Sequence, residues 1–237
     1  MKKIGILCAS DDELAPFLPR IRGEHLSRHA MLTFHEGNID RTQVVALYSG
    51  VCKVNAALAA QILIDRYRVD AILSAGTAGG MDPAVQLLDT VVSTHVAYHD
   101  VADDILTEFH PWMSSIYFEA DAALLAAARA VQKRTAAPLR FGRTVTGEQF
   151  ISERGREEIL SKYAPLAVDM ESAGIAHVCY VNRIPFLSLR AVTDTADHAG
   201  LAQFEQNCAA ATKRSAEIVL LLLEELEQRS AESAGAQ

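Results

Sequence analysis

Short, continuous apolar runs alternate with segments of helical period along nearly the whole chain, and this alternation restricts the fold more than any other feature. Residues 3–8, 71–75, 90–97, 139–146, 166–168 and 186–192 read as strands, because apolar stretches of that length fill both faces of a buried sheet. Between them, 12–22 (Leu14, Phe17, Leu18, Ile21), 53–66, 120–134, 169–181 and 203–228 carry helical spacing or composition. Residues 31–39 and 43–48, joined at Asp40-Arg41, read as a hairpin. The expectation is an α/β fold: a mixed central sheet with helices on both faces. Residues 1–228 form one domain, and 229–237 (RSAESAGAQ) read as a disordered tail.

Composition narrows the function. Half of the 237 residues are apolar, enough for a large core. The net charge of -8 argues against nucleic acid or an anionic membrane as partner, since phosphates would repel it. The first apolar run stops at Ser10-Asp11-Asp12-Glu13, too early for a signal peptide, and Ile218 to Leu223 is too short to span a bilayer. A soluble, cytoplasmic protein is expected. Cys8, Cys52, Cys179 and Cys208 form no C-x-x-C pair, and the eight histidines form no H-E-x-x-H, so neither disulfides nor a metal site are indicated. Neither G-x-G-x-x-G, a P-loop nor G-x-S-x-G occurs.

In such folds ligands sit at the carboxyl ends of strands. Four strand ends offer polar groups or glycines: Ala9 to Glu13, Gly76 to Gly80, Asp169-Met170-Glu171 and Thr193-Asp194. Taken singly, Glu13, Glu171 and Asp194 read equally as caps or solvated charges, and the glycines as a tight turn. Three carboxylates at three strand ends are harder to explain as caps alone, and they fit general acid–base work in one pocket.

In order along the chain stand Ile4-Gly5-Ile6 with Glu13, Ser49-Gly50-Val51-Cys52-Lys53-Val54-Asn55, Gly76-Thr77-Ala78-Gly79-Gly80, Gly147-Glu148-Gln149-Phe150-Ile151, Val168-Asp169-Met170-Glu171-Ser172-Ala173-Gly174 and Arg190-Ala191-Val192-Thr193-Asp194. Together these motifs resemble the nucleoside phosphorylase/hydrolase superfamily, and within it the 5′-methylthioadenosine/S-adenosylhomocysteine nucleosidases, over roughly residues 3–226. The resemblance implies a sheet partly closed into a barrel and hydrolysis of an adenine N-glycosidic bond in a 5′-thio nucleoside, without cofactor or metal. It implies Asp194 as the acid at purine N7, Glu13 as the group that activates water, and Glu171 as the carboxylate that binds ribose hydroxyls. It places Met170 against the sugar, Phe150 on the adenine ring, Ile151 at the base edge, Arg190 and Thr77 around the water, and Phe204 as another aromatic wall. Ala9, Val51, Ala78, Gly79, Asp169 and Thr193 complete the implied substrate-binding set. A homodimer is implied, with residues 101–118 near its interface.

The phosphorylases of this superfamily place an arginine before the glycine stretch, where this chain has Ser74, and the chain carries Glu13; both features favour water over phosphate. Arg20, Arg22 and Arg41 remain as alternative phosphate ligands. Four departures from the nucleosidase pattern stand out, the mildest being Thr77 where serine is usual. Asp169 replaces the first glutamate of E-M-E, Cys52 replaces a glycine, and residues 101–113 lack the usual run after His99-Asp100. In that stretch Phe109, Trp112 and Met113 suit either an apolar 5′ pocket or a subunit interface.

Overall fold

The computed structural model describes residues 3–151, 155–195 and 201–235. Strand β1 (Lys3–Cys8) leads into a single helical turn, α1 (Asp11–Leu14), capped by the Ser10 side chain. The helix expected over 12–22 does not continue. Pro16 and Pro19 cannot donate backbone hydrogen bonds, so the chain makes one further tight turn (Leu18–Arg20) and enters β2 (Arg22–His29). β2 escapes a pattern-based reading because it is polar and almost wholly exposed. Then come β3 (Leu32–Ile39), β4 (Thr42–Tyr48), α2 (Lys53–Asp65), β5 (Ala71–Gly80), β6 (Thr90–Tyr98), α3 (Asp103–Thr107), β7 (Phe118–Glu119) and α4 (Ala122–Val131). The chain ends with β8 (Leu139–Thr146), α5 (Arg156–Tyr163), β9 (Ala167–Asp169), α6 (Ser172–Asn182), β10 (Phe186–Asp194) and α7 (Leu201–Gly235).

The strands form one sheet in the order β10-β6-β8-β9-β5-β1-β4-β3-β2, with β7 paired to β6. β10 also pairs with β5, which closes β5, β10, β6, β8 and β9 into a five-stranded barrel. The barrel is mixed: β10–β5, β6–β8 and β8–β9 are parallel, whereas β10–β6 and β5–β9 are antiparallel. β5 is the junction, because it also pairs in parallel with β1 and so carries the outer β1-β4-β3-β2 extension.

Alternation along the strands feeds two cores. Ile4, Ile6, Leu73, Leu187 and Leu189 pack with Leu124, Val131, Val219 and Leu222 of α4 and α7. Leu7, Val45, Leu47 and Ile72 pack instead with Ala56, Ala60, Leu63, Ala173 and Ala176 of α2 and α6. Alanines on both helices let α2 and α6 approach the sheet closely. The last helix corrects the expected tail. It runs to Gly235, and Arg229 ties it to α4 by donating from Nη2 to the carbonyl of Ala126, while its Nε donates to Glu225 Oε1 within the helix. Residues 236 and 237 lie outside the described residues. Among the described residues no helix is long and apolar enough to cross a membrane.

Candidate active site

The carboxyl ends of β1, β5, β9 and β10 converge on one cleft with an empty volume of about 740 Å³. All the catalytic and substrate-binding residues implied by the resemblance line it; Ser10, Gln149 and Val168 line it as well and carried no signal of their own. The glycine stretch is not a turn after a strand. Gly76 to Gly80 lie within β5, where Gly79 and Gly80 pair with Val168 and Ala167. Glycine serves close approach there. A Cβ at Gly76 would fall 2.5 Å from the Glu13 carboxylate, and one at Gly79 would fall 3.1 Å from Asp194 Oδ2.

Glu13 is 5% exposed and held by three donors. The backbone N–H of Ala9 donates to Oε2 at 2.8 Å, and the backbone N–H and hydroxyl of Thr77 donate to Oε1 at 2.7 and 2.9 Å. The one-turn helix α1 swings this side chain back over the end of β1.

Arg190 is the single guanidinium lining the cleft among the described residues, and it is buried. Its Nη2 donates to Ser74 Oγ at 3.0 Å and its Nη1 to the carbonyl of Thr77 at 3.3 Å. It pairs with two carboxylates, Glu171 Oε2 at 3.3 Å from Nη1 and Asp169 Oδ2 at 3.3 Å from Nε. The flanking carboxylates hold the Arg190 pKa above its ordinary value against the effect of burial. Glu171 Oε1 accepts from the backbone N–H of Cys52 at 2.9 Å. Burial pushes its carboxyl up to about 7, with Asp169 and Glu13 adding to the rise and Arg190 opposing it.

The residue that holds Glu171 pays for its position. Cys52 has φ +83° and ψ 162°, a region that favours glycine, and glycine is what the nucleosidase pattern has there.

Asp194 ends β10 and is 3% exposed. Thr193 Oγ1 lies 2.8 Å from Oδ1 and 3.3 Å from the carbonyl of Ala78. Burial raises its pKa, with the Thr193 hydroxyl and Arg156 opposing. The arrangement suits a carboxyl that keeps its proton. The Thr193 hydroxyl has one proton to share between Asp194 Oδ1 and the Ala78 carbonyl, so its hold on the charged form is divided.

The mouth of the cleft is aromatic and open. Phe150 and Phe204 meet edge to face with centroids 6.4 Å apart, and Val51 is 48% exposed. A polar clasp braces this rim. Lys53 Nζ donates to both Asp100 oxygens, its backbone N–H donates to Glu148 Oε1, and the Glu148 backbone N–H donates to Asp100 Oδ2. Phe109, Trp112 and Met113 do not line the cleft; Met113 is buried in the core, and Phe109 and Trp112 are exposed. Arg20, Arg22 and Arg41 are also elsewhere, and Arg41 bonds Glu227 on α7. Among the described residues no group of His, Cys, Asp and Glu side chains is arranged to hold a metal ion.

Residues 3–224 match the family model of the phosphorylase superfamily. The 5′-methylthioadenosine/S-adenosylhomocysteine nucleosidase of Staphylococcus carnosus is 34% identical over 229 residues, covering 94% of this chain and 100% of that protein. The chain belongs to the phosphorylase superfamily, in its nucleosidase branch. Solved nucleosidase-branch structures superpose on it throughout. The S-adenosylhomocysteine nucleosidase of Streptococcus pyogenes in complex with 5-methylthiotubericidin gives a TM-score of 0.88 at 28% identity, covering 95% of this chain and 97% of that one. The futalosine hydrolase of Helicobacter pylori gives 0.87 at 27% identity, covering 94% and 98%. The mixed barrel expected from the resemblance is therefore the fold of this nucleosidase-branch chain.

What sequence reasoning missed lies behind the cleft. Ser188 within β10, Thr146 at the end of β8 and Ser172 at the start of α6 are all fully buried. A hydroxyl inside an otherwise apolar strand needs a partner, which is the signal that could have found them.

Proposed function

We propose that this chain hydrolyses the adenine N-glycosidic bond of 5′-thio nucleosides, methylthioadenosine and S-adenosylhomocysteine, giving adenine and a thioribose. The observation that carries this reading is Asp194, a buried carboxyl with a raised pKa, in one cleft with Glu13, a carboxylate held by three donors. Purine leaves poorly until N7 is protonated, and Asp194 supplies that proton. As the C1′–N9 bond breaks, the ribose becomes cationic, and Glu171 steadies it while accepting its hydroxyls. Glu13 takes a proton from water as the water oxygen bonds C1′. Phe150 stacks on the base, Ile151 meets its edge, and Met170 packs on the sugar. Written this way, the reaction needs neither metal nor organic cofactor.

Water rather than phosphate is favoured by charge. Glu13, Asp169, Glu171 and Asp194 line the cleft, and Arg190 already pairs with two of them. An incoming phosphate would meet carboxylates and no unengaged guanidinium among the described residues. The named relative from Staphylococcus carnosus supports the thio-nucleoside substrates. The futalosine hydrolase likeness supports a second reading, a hydrolase for another 5′-substituted nucleoside, because the same fold serves both. The exposed Phe109, Trp112 and Val54 support a homodimer with residues 101–118 near its interface. A single domain in the cytoplasm completes the proposal.

The test is direct. Purified protein in phosphate-free buffer releases adenine from methylthioadenosine, followed by the change in ultraviolet absorbance. No release from methylthioadenosine, S-adenosylhomocysteine or any other 5′-substituted adenosine sinks the reading. A rate that depends on phosphate and yields a sugar 1-phosphate replaces it with phosphorolysis.

A further inference from the structure

We infer that Asp169 is a positioning residue that sets Glu171 and Arg190, and that it does not bind the substrate, although it lines the cleft and stands where the nucleosidase pattern has a glutamate. Both carboxylate oxygens are already occupied. Oδ1 accepts from Thr146 Oγ1 at 2.6 Å, from the backbone N–H of Ser172 at 3.1 Å and from that of Glu171 at 3.3 Å. Oδ2 accepts from Ser172 Oγ and faces Arg190 Nε at 3.3 Å. A carboxylate has about four lone-pair sites, and four donors already occupy them, with the Arg190 charge beside Oδ2. The side chain is 1% exposed, so neither oxygen is offered to a ribose hydroxyl or a base N–H.

Length explains the change of role. One methylene shorter than glutamate, aspartate turns back onto the first N–H groups of α6, where an anion suits the helix N-terminus. From there it stitches four elements. Thr146 ends β8 and also accepts from the backbone N–H of Ala173 at 3.0 Å; Ser172 starts α6; and Ser172 Oγ meets Ser188 Oγ of β10 at 2.8 Å, two residues before Arg190. Asp169 thus fixes the Glu171 backbone through its N–H and attracts the guanidinium by charge, with Oδ2 3.3 Å from Nε. Arg190 in turn holds the Glu171 carboxylate.

The charged groups around Glu171 are Arg190 from β10, Asp169 from β9 and Glu13 from α1. Removing the Asp169 charge takes away a like charge, so Glu171 should ionise at lower pH. The experiment titrates protein labelled with carbon-13 at glutamate carboxyls, with Glu171→Gln used to assign the signal. In Asp169→Asn the Glu171 midpoint falls by about one pH unit; an unchanged midpoint overturns the inference whatever the enzyme acts on. The kinetic arm rests on the hydrolytic reading. With methylthioadenosine, Asp169→Asn lowers kcat about 100-fold and leaves KM within about three-fold, as misplacement of a catalytic group does. A raised KM with kcat unchanged would make Asp169 a substrate ligand after all. Should Asp169→Asn fail to fold, Ser172→Ala, which lies off the cleft wall, is read instead: kcat falls about ten-fold at constant KM, and wild-type kcat overturns the inference. Absence of turnover in the wild type refutes the hydrolytic reading alone and leaves the titration to decide the role of Asp169.

Discussion

Asp169 and Asp194 are the last residues of two barrel strands that both flank β5, both buried, and they do opposite things. Asp169 is surrounded by donors from β8, α6 and β10, so its charge is spent on holding the scaffold. Asp194 has one hydroxyl neighbour among its hydrogen bonds and a rim of glycine backbone, and burial raises its pKa. Burial alone therefore does not mark a chemical group. The number of donors aimed at a buried acid separates a carboxylate that organises a site from one that exchanges a proton in it.

Variants of the second aspartate test that contrast most strongly. Asp194→Asn keeps the shape of the cleft and loses the proton, so turnover on methylthioadenosine should fall by roughly 100-fold or more. Near-wild-type turnover would remove Asp194 from the acid role. The same variant should differ from wild type in its response to pH. Because the folded-state pKa of Asp194 is raised, its stabilising contribution is complete below the unfolded-state value, about 4, and is lost as pH rises through the folded value. Asp194→Asn removes that slope, and at pH 7 it should be more stable than wild type by about 1 kcal/mol for each unit by which the pKa is raised. Denaturant unfolding at pH 4 and pH 7 measures this, and equal slopes for the two proteins would contradict it. Asp169→Asn, which strips a buried pair of one partner, should lower stability at pH 7. The smallest effect concerns Cys52, whose backbone conformation favours glycine. Cys52→Gly should raise stability by about 1 kcal/mol by relieving that strain, and a lower melting temperature would show that the thiol contributes more than its backbone costs.

The same contrast bears on what the sequence reveals. Strands β1, β5, β6 and β10 are legible because they are largely buried on both faces and read as apolar runs. β2 is not, since an edge ribbon needs no apolar face, and the barrel is not, since closure depends on the long-range pairing of β5 with β10. Asp194 and Glu13 are legible as acids at strand ends. The positioning role of Asp169 is hidden, because it depends on Thr146, Ser172 and Arg190, residues that are distant or unremarkable in the chain and meet only in the folded barrel.

The close fit of Gly76 against Glu13 sets the direction in which this enzyme can be altered. The floor of the cleft has no slack: one methyl group on β5 collides with the Glu13 carboxylate, and β5 also closes the barrel and carries the outer sheet. Room for a bulkier ligand must therefore be cut from the rim, at Val51, Phe150 and Phe204, where side chains face solvent and no strand pairing is at stake. The scaffold is adaptable at its entrance and rigid at its chemistry.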